Sequence, residues 1–156
     1  MSTGSCTMFQ EFYLDALSAA HNLSSNTLKL GIVDDTLTPT ANIATPRWSD
    51  FSANEVSAAG NYVSGGMTLT TVSLAMSCGI CTLTADDVLI AQHASGFTDG
   101  YWGILYNSSA TNGEAIGFID LGGPVSEQAA PVSVEWPSGV VGQFPANVTA
   151  WATPVT

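Results

Sequence analysis

Cys78 and Cys81 form the pattern in this sequence that comes nearest to a chemical motif. A Cys-x-x-Cys spacing occurs in redox-active sites and in one half of many zinc sites. A redox pair belongs at the start of a helix, whereas the residues on both sides of this pair have a strand pattern. A zinc site needs two more ligands, and the remaining Cys and His residues have no paired spacing. We therefore predict a β-hairpin with Gly79 and Ile80 in its turn and an optional disulfide between Cys78 and Cys81.

His93 is a second candidate for chemistry, because Asp86, Asp87 and Asp99 are near it in the sequence. An imidazole and carboxylates could support hydrolysis, but no serine stands in a Gly-x-Ser-x-Gly setting. We therefore interpret His93 as a surface residue beside turns. His21 follows the first predicted helix, where it could interact with the negative end of the helix dipole.

Two acidic pairs, Asp34 with Asp35 and Asp86 with Asp87, could supply oxygen ligands to calcium or two carboxylates for glycoside hydrolysis. The sequence has no Asp-x-Asp-x-Asp-Gly loop. Adjacent residues of a strand point to opposite faces, so we expect each pair to cap or solvate a strand end. The sequence therefore predicts no catalytic residue, no metal site and no cofactor.

The charge balance limits the classes of partner. Lys29 and Arg47 are the only basic residues beside thirteen carboxylates, which gives a net charge of -11. Because binding to nucleic acid requires several cationic side chains, neither nucleic acid nor an anionic membrane is an expected partner. Residues 1–4 lack the features of a signal peptide, and no stretch approaches about 20 apolar residues. We expect synthesis in the cytosol and an outward-facing, non-catalytic protein.

The elements that must position these residues are mostly strands. Residues 8–20 place apolar side chains three and four apart, which predicts a helix capped by Thr7. Residues 36–66 are predicted to be a long irregular stretch with a helical turn near 53–56, and residues 138–156 a weakly patterned tail. The remaining hydrophobic runs alternate like strands: residues 27–33, 67–76, 82–84, 88–92, 101–106, 115–121 and 131–136.

The pattern predicts one domain over residues 1–156, a mainly β, jelly-roll-like sandwich with one short N-terminal helix. The alternation slips between Thr71 and Val72, so a bulge or a change of sheet is expected there. Four tryptophans could form a sugar-stacking platform. We expect Trp102 and Trp136 to pack in the core instead, because they alternate with other apolar residues.

A series of segments runs from about residue 8 to residue 144 in a fixed order. These segments are Thr27-Leu-Lys-Leu-Gly-Ile-Val33, Trp48-Ser-Asp50, Glu55-Val56, Gly60-Asn-Tyr-Val-Ser-Gly-Gly-Met-Thr-Leu-Thr70, Asp86-Asp87-Val88, Gly100-Tyr-Trp-Gly-Ile-Leu-Tyr106, Ile116-Gly-Phe-Ile-Asp-Leu-Gly-Gly123 and Val132-Ser-Val-Glu-Trp-Pro-Ser-Gly139. Their order resembles a family of small tailed-bacteriophage virion proteins known as capsid decoration or cement proteins. The Cys78–Cys81 hairpin and the tryptophan-bearing C-terminus are not part of that pattern.

The resemblance implies a structural virion protein, synthesised in the host cytoplasm, that binds the outer surface of a phage head. It would bridge major capsid proteins and stabilise the shell. It would act as a homo-oligomer, a homotrimer or else a dimer. A tail-fibre or receptor-binding module that holds glycans is the alternative.

Six aromatic residues are the expected interface anchors: Phe9, Phe12, Trp48, Phe51, Tyr62 and Trp151. For Phe9 and Phe12, packing of an amphipathic helix on its own core is an equally good interpretation.

Overall fold

The computed structural model describes residues 2, 3 and 6–145. Within them the chain is mainly β with few helices, as predicted, and its strands pair antiparallel except for one parallel pair. The strands are β1 (Ser2–Thr3), β2 (Thr7–Met8), β3 (Leu28–Val33), β4 (Met67–Thr68), β5 (Ser73–Ser77), β6 (Ile80–Thr84), β7 (Val88–Ile90), β8 (Gly100–Asn107), β9 (Ala115–Val125), β10 (Val132–Glu135) and β11 (Val140–Pro145). The helices are α1 (Glu11–Leu17) and α2 (Trp48–Phe51), and the 3-10 turns are Ser52–Asn54 and Pro137–Gly139.

The largest sheet of the described residues has five strands in the order β2-β9-β8-β3-β4. β3 pairs with β8 along its whole length, with Leu28 opposite Asn107 and Val33 opposite Trp102. Leu28, Leu30 and Ile32 are buried, as their alternation predicts, and the intervening Gly31 is buried as well. A strand that is buried on both faces must lie inside the domain, so β3 is central to the fold.

Two smaller sheets complete the described architecture, with the orders β1-β10-β7 and β11-β6-β5. One cluster of buried apolar side chains joins all three sheets, because Leu30 of β3, Leu83 of β6 and Val134 of β10 belong to it. The three sheets therefore share one core.

The predicted change of sheet between Thr71 and Val72 is confirmed. β4 belongs to the five-stranded sheet and β5 to the sheet of β11 and β6. Thr71 has a φ of 52° at this point, in the left-handed region. The Asp86 carboxylate accepts a hydrogen bond from the hydroxyl of Thr70 at 3.1 Å and another from that of Thr71. The bend is therefore held by a side chain from outside it.

The predicted helix is shorter than its apolar pattern. α1 covers Glu11–Leu17, and Thr7 belongs to β2 rather than to a helix cap. The prediction of residues 8–20 was wrong at both ends for two reasons. Thr7 and Met8 pair with Phe118 and Gly117 on β9, which fixes this backbone as extended. At the other end Ala19 has a φ of 62°, so the chain leaves the helical conformation.

The weakly patterned tail from residue 138 onward contains a strand that the sequence did not predict. Residues Val140–Pro145 form β11, which pairs antiparallel with β6 from Val140 opposite Thr84 to Pro145 opposite Ile80. Only Val141 of this strand is well buried. Residues 140–145 therefore form a strand because they pair with β6 of the β5–β6 hairpin. Their own apolar pattern gives little indication of a strand.

Two carboxylates fix the long loop of residues 36–66, one of them fully buried and the other half-buried. Glu127 is fully buried, and its Oε1 accepts a hydrogen bond from the backbone N–H of Asn61. Its own N–H donates to the carbonyl of Phe97 at 2.9 Å. A Cβ placed on Gly60 would lie 2.6 Å from the Cα of Gly96, so the two segments touch through glycine backbone at this point.

Glu55 is the second of these carboxylates. Its Oε1 accepts hydrogen bonds from the Tyr62 hydroxyl at 2.8 Å and from the Gly65 N–H at 2.7 Å. The Tyr62 oxygen in turn accepts the N–H of Ile32 at 2.9 Å. The loop is therefore attached to β3 by a continuous hydrogen-bond network. The predicted helical turn near residues 53–56 occurs earlier, as α2 and the 3-10 turn Ser52–Asn54.

Candidate functional site

Helix α1 exposes large apolar side chains to solvent. Phe12 is its one well-buried residue, whereas Tyr13 and Leu14 are more than half exposed and Leu17 is 88% exposed. Leu17 follows Leu14 by three positions and Tyr13 by four, so it neighbours both on one side of the helix. We call this side the apolar ridge. A helix that buries only one of its apolar residues leaves a surface that water solvates poorly.

The β5–β6 hairpin exposes a second set of apolar residues beside the ridge. All five residues of β5 are exposed, and Met76 is 63% exposed. The register places Leu74 opposite the fully buried Leu83, and Met76 opposite Cys81. Cross-strand partners share a face of the sheet, so one face runs from the core at Leu83 to open solvent at Met76.

A groove of about 600 Å³ separates α1 from this hairpin. Phe12, Tyr13 and Ala16 line it from the helix, and Leu74, Cys81 and Phe144 line it from the sheet. The Phe12 and Phe144 rings stack with their centroids 5.0 Å apart. We call this feature the apolar groove. Its size and its lining are those of a site that takes an apolar group.

His21 borders the apolar groove, and its predicted interaction with the dipole of α1 stays a prediction. Its Nδ1 lies 3.1 Å from Nδ2 of Asn107, and its ring stacks on Phe12 with a centroid separation of 5.3 Å. Burial lowers the pKa of His21 below its ordinary value, while nearby carboxylates act in the opposite direction. The neutral imidazole is therefore favoured in the fold.

The sheet of β5, β6 and β11 carries no charged side chain. Residues 69–85, which include β5 and β6, contain no Asp, Glu, Lys or Arg, and neither do residues 136–145, which include β11. All charges of this acidic chain are therefore carried by other segments. A second acidic molecule could therefore approach this sheet without meeting a charged side chain of the sheet itself.

Four of the six predicted anchors are buried in the core: Phe9, Phe12, Phe51 and Tyr62. Of these four, Phe12 lines the apolar groove and the others do not. For Phe9 and Phe12 the alternative interpretation, core packing, describes the structure. These aromatics are buried because the chain covers them with its own β9, α2 and long loop, an arrangement that spacing alone did not reveal.

The other two predicted anchors are Trp48 and Trp151. Trp48 is half-buried, and its ring stacks on Tyr106 with a centroid separation of 4.8 Å and an interplanar angle of 6°. A Cβ on Gly31 would collide with this ring, so Trp48 lies directly on the backbone of β3. Trp151 lies outside the described residues. The prediction that Trp136 packs in the core is confirmed, because it is buried. Trp102, which was also expected in the core, is half-buried.

The predicted hairpin of Cys78 and Cys81 is present, but its turn was placed one residue too late. The turn residues are Cys78 and Gly79, and Ile80 already begins β6. Both have positive φ, 49° and 77°, as a two-residue type I′ turn requires. Both cysteines are free thiols, and the residue opposite Cys81 is Met76.

The residues considered for hydrolysis take part in local turns. The Nδ1 of His93 accepts the N–H of Ser95 at 3.1 Å, and Asp99 accepts the hydroxyl of Thr98 at 2.8 Å. Asp87 accepts the backbone N–H of Trp136 at 2.8 Å, and Asp34 accepts that of Thr36 at 2.8 Å. These bonds confirm the prediction that the acidic pairs cap strand ends.

Comparisons of this chain with protein-family models, with curated proteins and with solved structures gave no match. Across the described residues, no group of three or more His, Cys, Asp or Glu side chains could hold a metal ion. In that same part of the chain, no helix has the length and apolar character needed to cross a membrane.

The sequence did contain a signal for this surface. The segment from Phe12 to Leu17 is apolar at every position except Asp15, which is more than one core-facing stripe requires. Residues 69–85 form an uncharged run in a strongly acidic chain. Neither signal says which side of the helix or hairpin is covered, and that depends on the packing of α1 over the sheet.

Proposed function

We propose that this chain is a capsid decoration, or cement, protein of a tailed bacteriophage. In this proposal it has a jelly-roll-like sandwich fold, binds the outer surface of the phage head and bridges major capsid proteins. It carries out no chemistry. Binding to the assembled shell and not to separate subunits stabilises the shell by mass action.

The observation that carries the proposal is the apolar ridge beside the apolar groove. Monomeric proteins rarely expose a contiguous apolar surface unless it contacts a partner. The ridge residues Tyr13, Leu14 and Leu17 offer side chains to insert into a partner, and the groove offers a place to receive one. The order of sequence segments that resembles the cement family supports a capsid protein as that partner.

The polar side chains support a structural role as well. The carboxylates of half-buried Glu55 and buried Glu127 hold loops, and Asp86 and Asp87 hold a bend and a strand end. Carboxylates engaged in this way keep the domain rigid, which favours a protein that must hold a fixed shape on a shell. The acidic surface would face outward, away from packaged DNA.

The test is cryo-electron microscopy of intact particles and of particles that lack this protein, followed by heating of both. The proposal predicts missing density at regular positions on the head surface and release of the genome at lower temperature. An unchanged head with density lost only at the tail or a fibre would contradict the proposal and favour receptor binding.

A single substitution tests the docking surface itself. Leu17→Glu places a charge in the ridge and should reduce binding to undecorated heads at least about tenfold, because burying an unpaired carboxylate is unfavourable. Leu89→Glu is the matched control, since Leu89 is 65% exposed on β7 in a different sheet. Equal binding of both variants and the unaltered protein would exclude the ridge as the docking surface.

A further inference from the structure

Strand β5 is an unprotected edge of its sheet. Among the described residues it pairs with β6 alone, so one side of its backbone has no strand partner. Proteins usually protect such edges with charged residues, proline or bulges, because a free edge pairs readily with another strand. The five residues Ser73–Ser77 contain none of these protections, and all five are exposed.

The backbone groups that face outward from β5 follow from the turn. A two-residue hairpin turn closes on a pair that exchanges both hydrogen bonds, here Ser77 and Ile80. Hydrogen-bonded and non-hydrogen-bonded pairs alternate along an antiparallel ladder. The N–H and C=O groups of Ala75 therefore point toward β6, whereas those of Leu74 and Met76 point away from it.

The sequence of β5 is symmetric in character about its central residue. Ser73 and Ser77 stand at the ends, Leu74 and Met76 stand next, and Ala75 is in the middle. When such a strand pairs antiparallel with an identical strand centred on Ala75, serine meets serine, alanine meets alanine, and each Leu74 meets Met76 of the other strand. Every apolar side chain then has an apolar partner on the same face.

We propose that this chain forms a two-fold symmetric homodimer in which β5 pairs antiparallel with β5 of a second copy. The two-fold axis passes through Ala75, and the two three-stranded sheets become one continuous sheet. Leu74 of each copy exchanges both backbone hydrogen bonds with Met76 of the other. The contact is isologous, so it closes at two copies and leaves no further free β5 edge.

Charge identifies the second copy as the occupant of this edge. Two copies that each carry a net charge of -11 repel one another wherever their acidic surfaces meet. The run of residues 69–85 has no charged side chain, so pairing at β5 brings together the least repulsive parts of the two molecules. A basic partner would instead gain by binding the acidic surfaces elsewhere.

The first test measures the mass of the full-length chain in solution by light scattering across a range of concentrations. The unaltered protein should show twice the chain mass of 16.1 kDa. Met76→Glu places two carboxylates near the two-fold axis and should raise the dissociation constant at least about tenfold. Leu89→Glu adds the same charge at a residue of matched exposure, 65% against 63% for Met76, and should remain dimeric.

The second test traps the pairing covalently. Ala75 lies opposite itself in a non-hydrogen-bonded pair, where Cα atoms are about 4.5 Å apart, within the range that a disulfide accepts. Ala75→Cys, in a chain that also carries Cys78→Ser and Cys81→Ser, should form a dimeric disulfide when oxidised glutathione is the oxidant. Leu89→Cys in that chain is the control, because it measures the rate at which disulfides form by random collision. Cys6 stays unreactive because burial raises its pKa to about 12.

The inference is overturned by a monomeric or trimeric unaltered chain, by a Met76→Glu variant that dimerises as well as the control, or by equal rates of disulfide formation at residues 75 and 89. Circular dichroism of each variant establishes that it is folded. The isolated protein is sufficient for all of these measurements, so their outcome does not depend on the proposed binding to a phage head.

Discussion

Two regions of the molecule differ in how they are stabilised. One is the five-stranded sheet with the loop of residues 36–66, and the other is the three-stranded sheet of β5, β6 and β11. In the first region, the carboxylates of Glu55 and Glu127 and the Tyr62 hydroxyl attach the loop of residues 36–66 to β3 and to the segment near Gly96. In the second region the core ends at Leu83 and Val141, and the hairpin tip beyond them exposes Leu74, Met76 and Ile80. The first region therefore holds its loop by internal hydrogen bonds, whereas the second leaves apolar side chains exposed.

The difference shows where the chain is complete by itself and where it can accept a partner. A region that is held by internal hydrogen bonds and tight backbone contacts loses stability when altered. A region whose apolar groups are already exposed loses association instead, because its side chains contribute little to the folded monomer. The predictions below test this contrast with paired substitutions, in order of decreasing effect on stability.

Gly60→Ala should have the largest effect on the first region. The added Cβ would lie 2.4 Å from Oε1 of Glu127 and 2.6 Å from the backbone of Gly96. Backbone cannot yield as a side chain does, so we expect a loss of about 3 kcal/mol in the free energy of unfolding. Urea denaturation measures it.

Gly142→Ala in β11 is the matched control. Its nearest new contact would be the Phe144 ring at 3.4 Å, an ordinary distance. The expected change is within about 0.5 kcal/mol. Equal losses for the two variants would mean that the two regions do not differ in how closely their backbones pack.

Tyr62→Phe should have the next largest effect. It removes the oxygen that accepts the N–H of Ile32 and donates to Glu55, and it leaves a buried N–H without its partner. The expected loss is about 2 kcal/mol in the free energy of unfolding. Tyr13→Phe, in the exposed ridge, should change stability by less than about 0.5 kcal/mol.

The same tyrosine should give the fold an alkaline limit. Burial raises the pKa of Tyr62 above its ordinary value of 10.0, so the folded state keeps a proton that the unfolded state releases. Its contribution is therefore complete below about pH 10 and is lost as the pH rises further. Unfolding curves at increasing pH should fall less steeply for Tyr62→Phe than for the unaltered chain; parallel curves would contradict this role.

His21 should give a smaller effect at acidic pH. Its pKa in the fold is lowered by burial from the ordinary value of 6.5, so its contribution to stability is present above that value and is lost as the pH falls below it. His21→Gln should flatten the decline between about pH 7 and about pH 5, measured by urea denaturation. An equally steep decline in His21→Gln and in the unaltered chain would contradict this role.

The sequence-based predictions succeeded where the structure depends on a local apolar pattern and failed where it depends on pairing between distant segments. The alternating runs at β3, β8 and β10 predicted strands correctly because a half-buried or buried strand must repeat its apolar residues along the chain. The change of sheet near Thr71 was also visible, because it interrupts that repeat. β2 and β11 were missed because they show little apolar alternation of their own, so only their pairing with the distant β9 and β6 defines them as strands.

The candidate site was predicted less well than the fold. Aromatic residues were expected to be anchors by their type, and Phe9, Phe51 and Tyr62 turned out to lie in the core. The exposed surface consists instead of Tyr13, Leu14, Leu17, Leu74 and Met76, whose types are those of core residues. Residue type indicates the tendency to be buried, but only the arrangement of elements decides which residues find cover.

The sequence by itself determined the β class, the acidic charge and the absence of charge from residues 69–85, because composition and local alternation are properties of the chain alone. The tertiary structure decided that α1 covers only part of its sheet, that β5 is an edge and that Glu127 lies buried beneath glycine backbone. These features depend on long-range pairing. The entropy cost of closing long loops is compensated only when the whole core forms. A local segment of the sequence therefore cannot show which strands pair or which elements become edges.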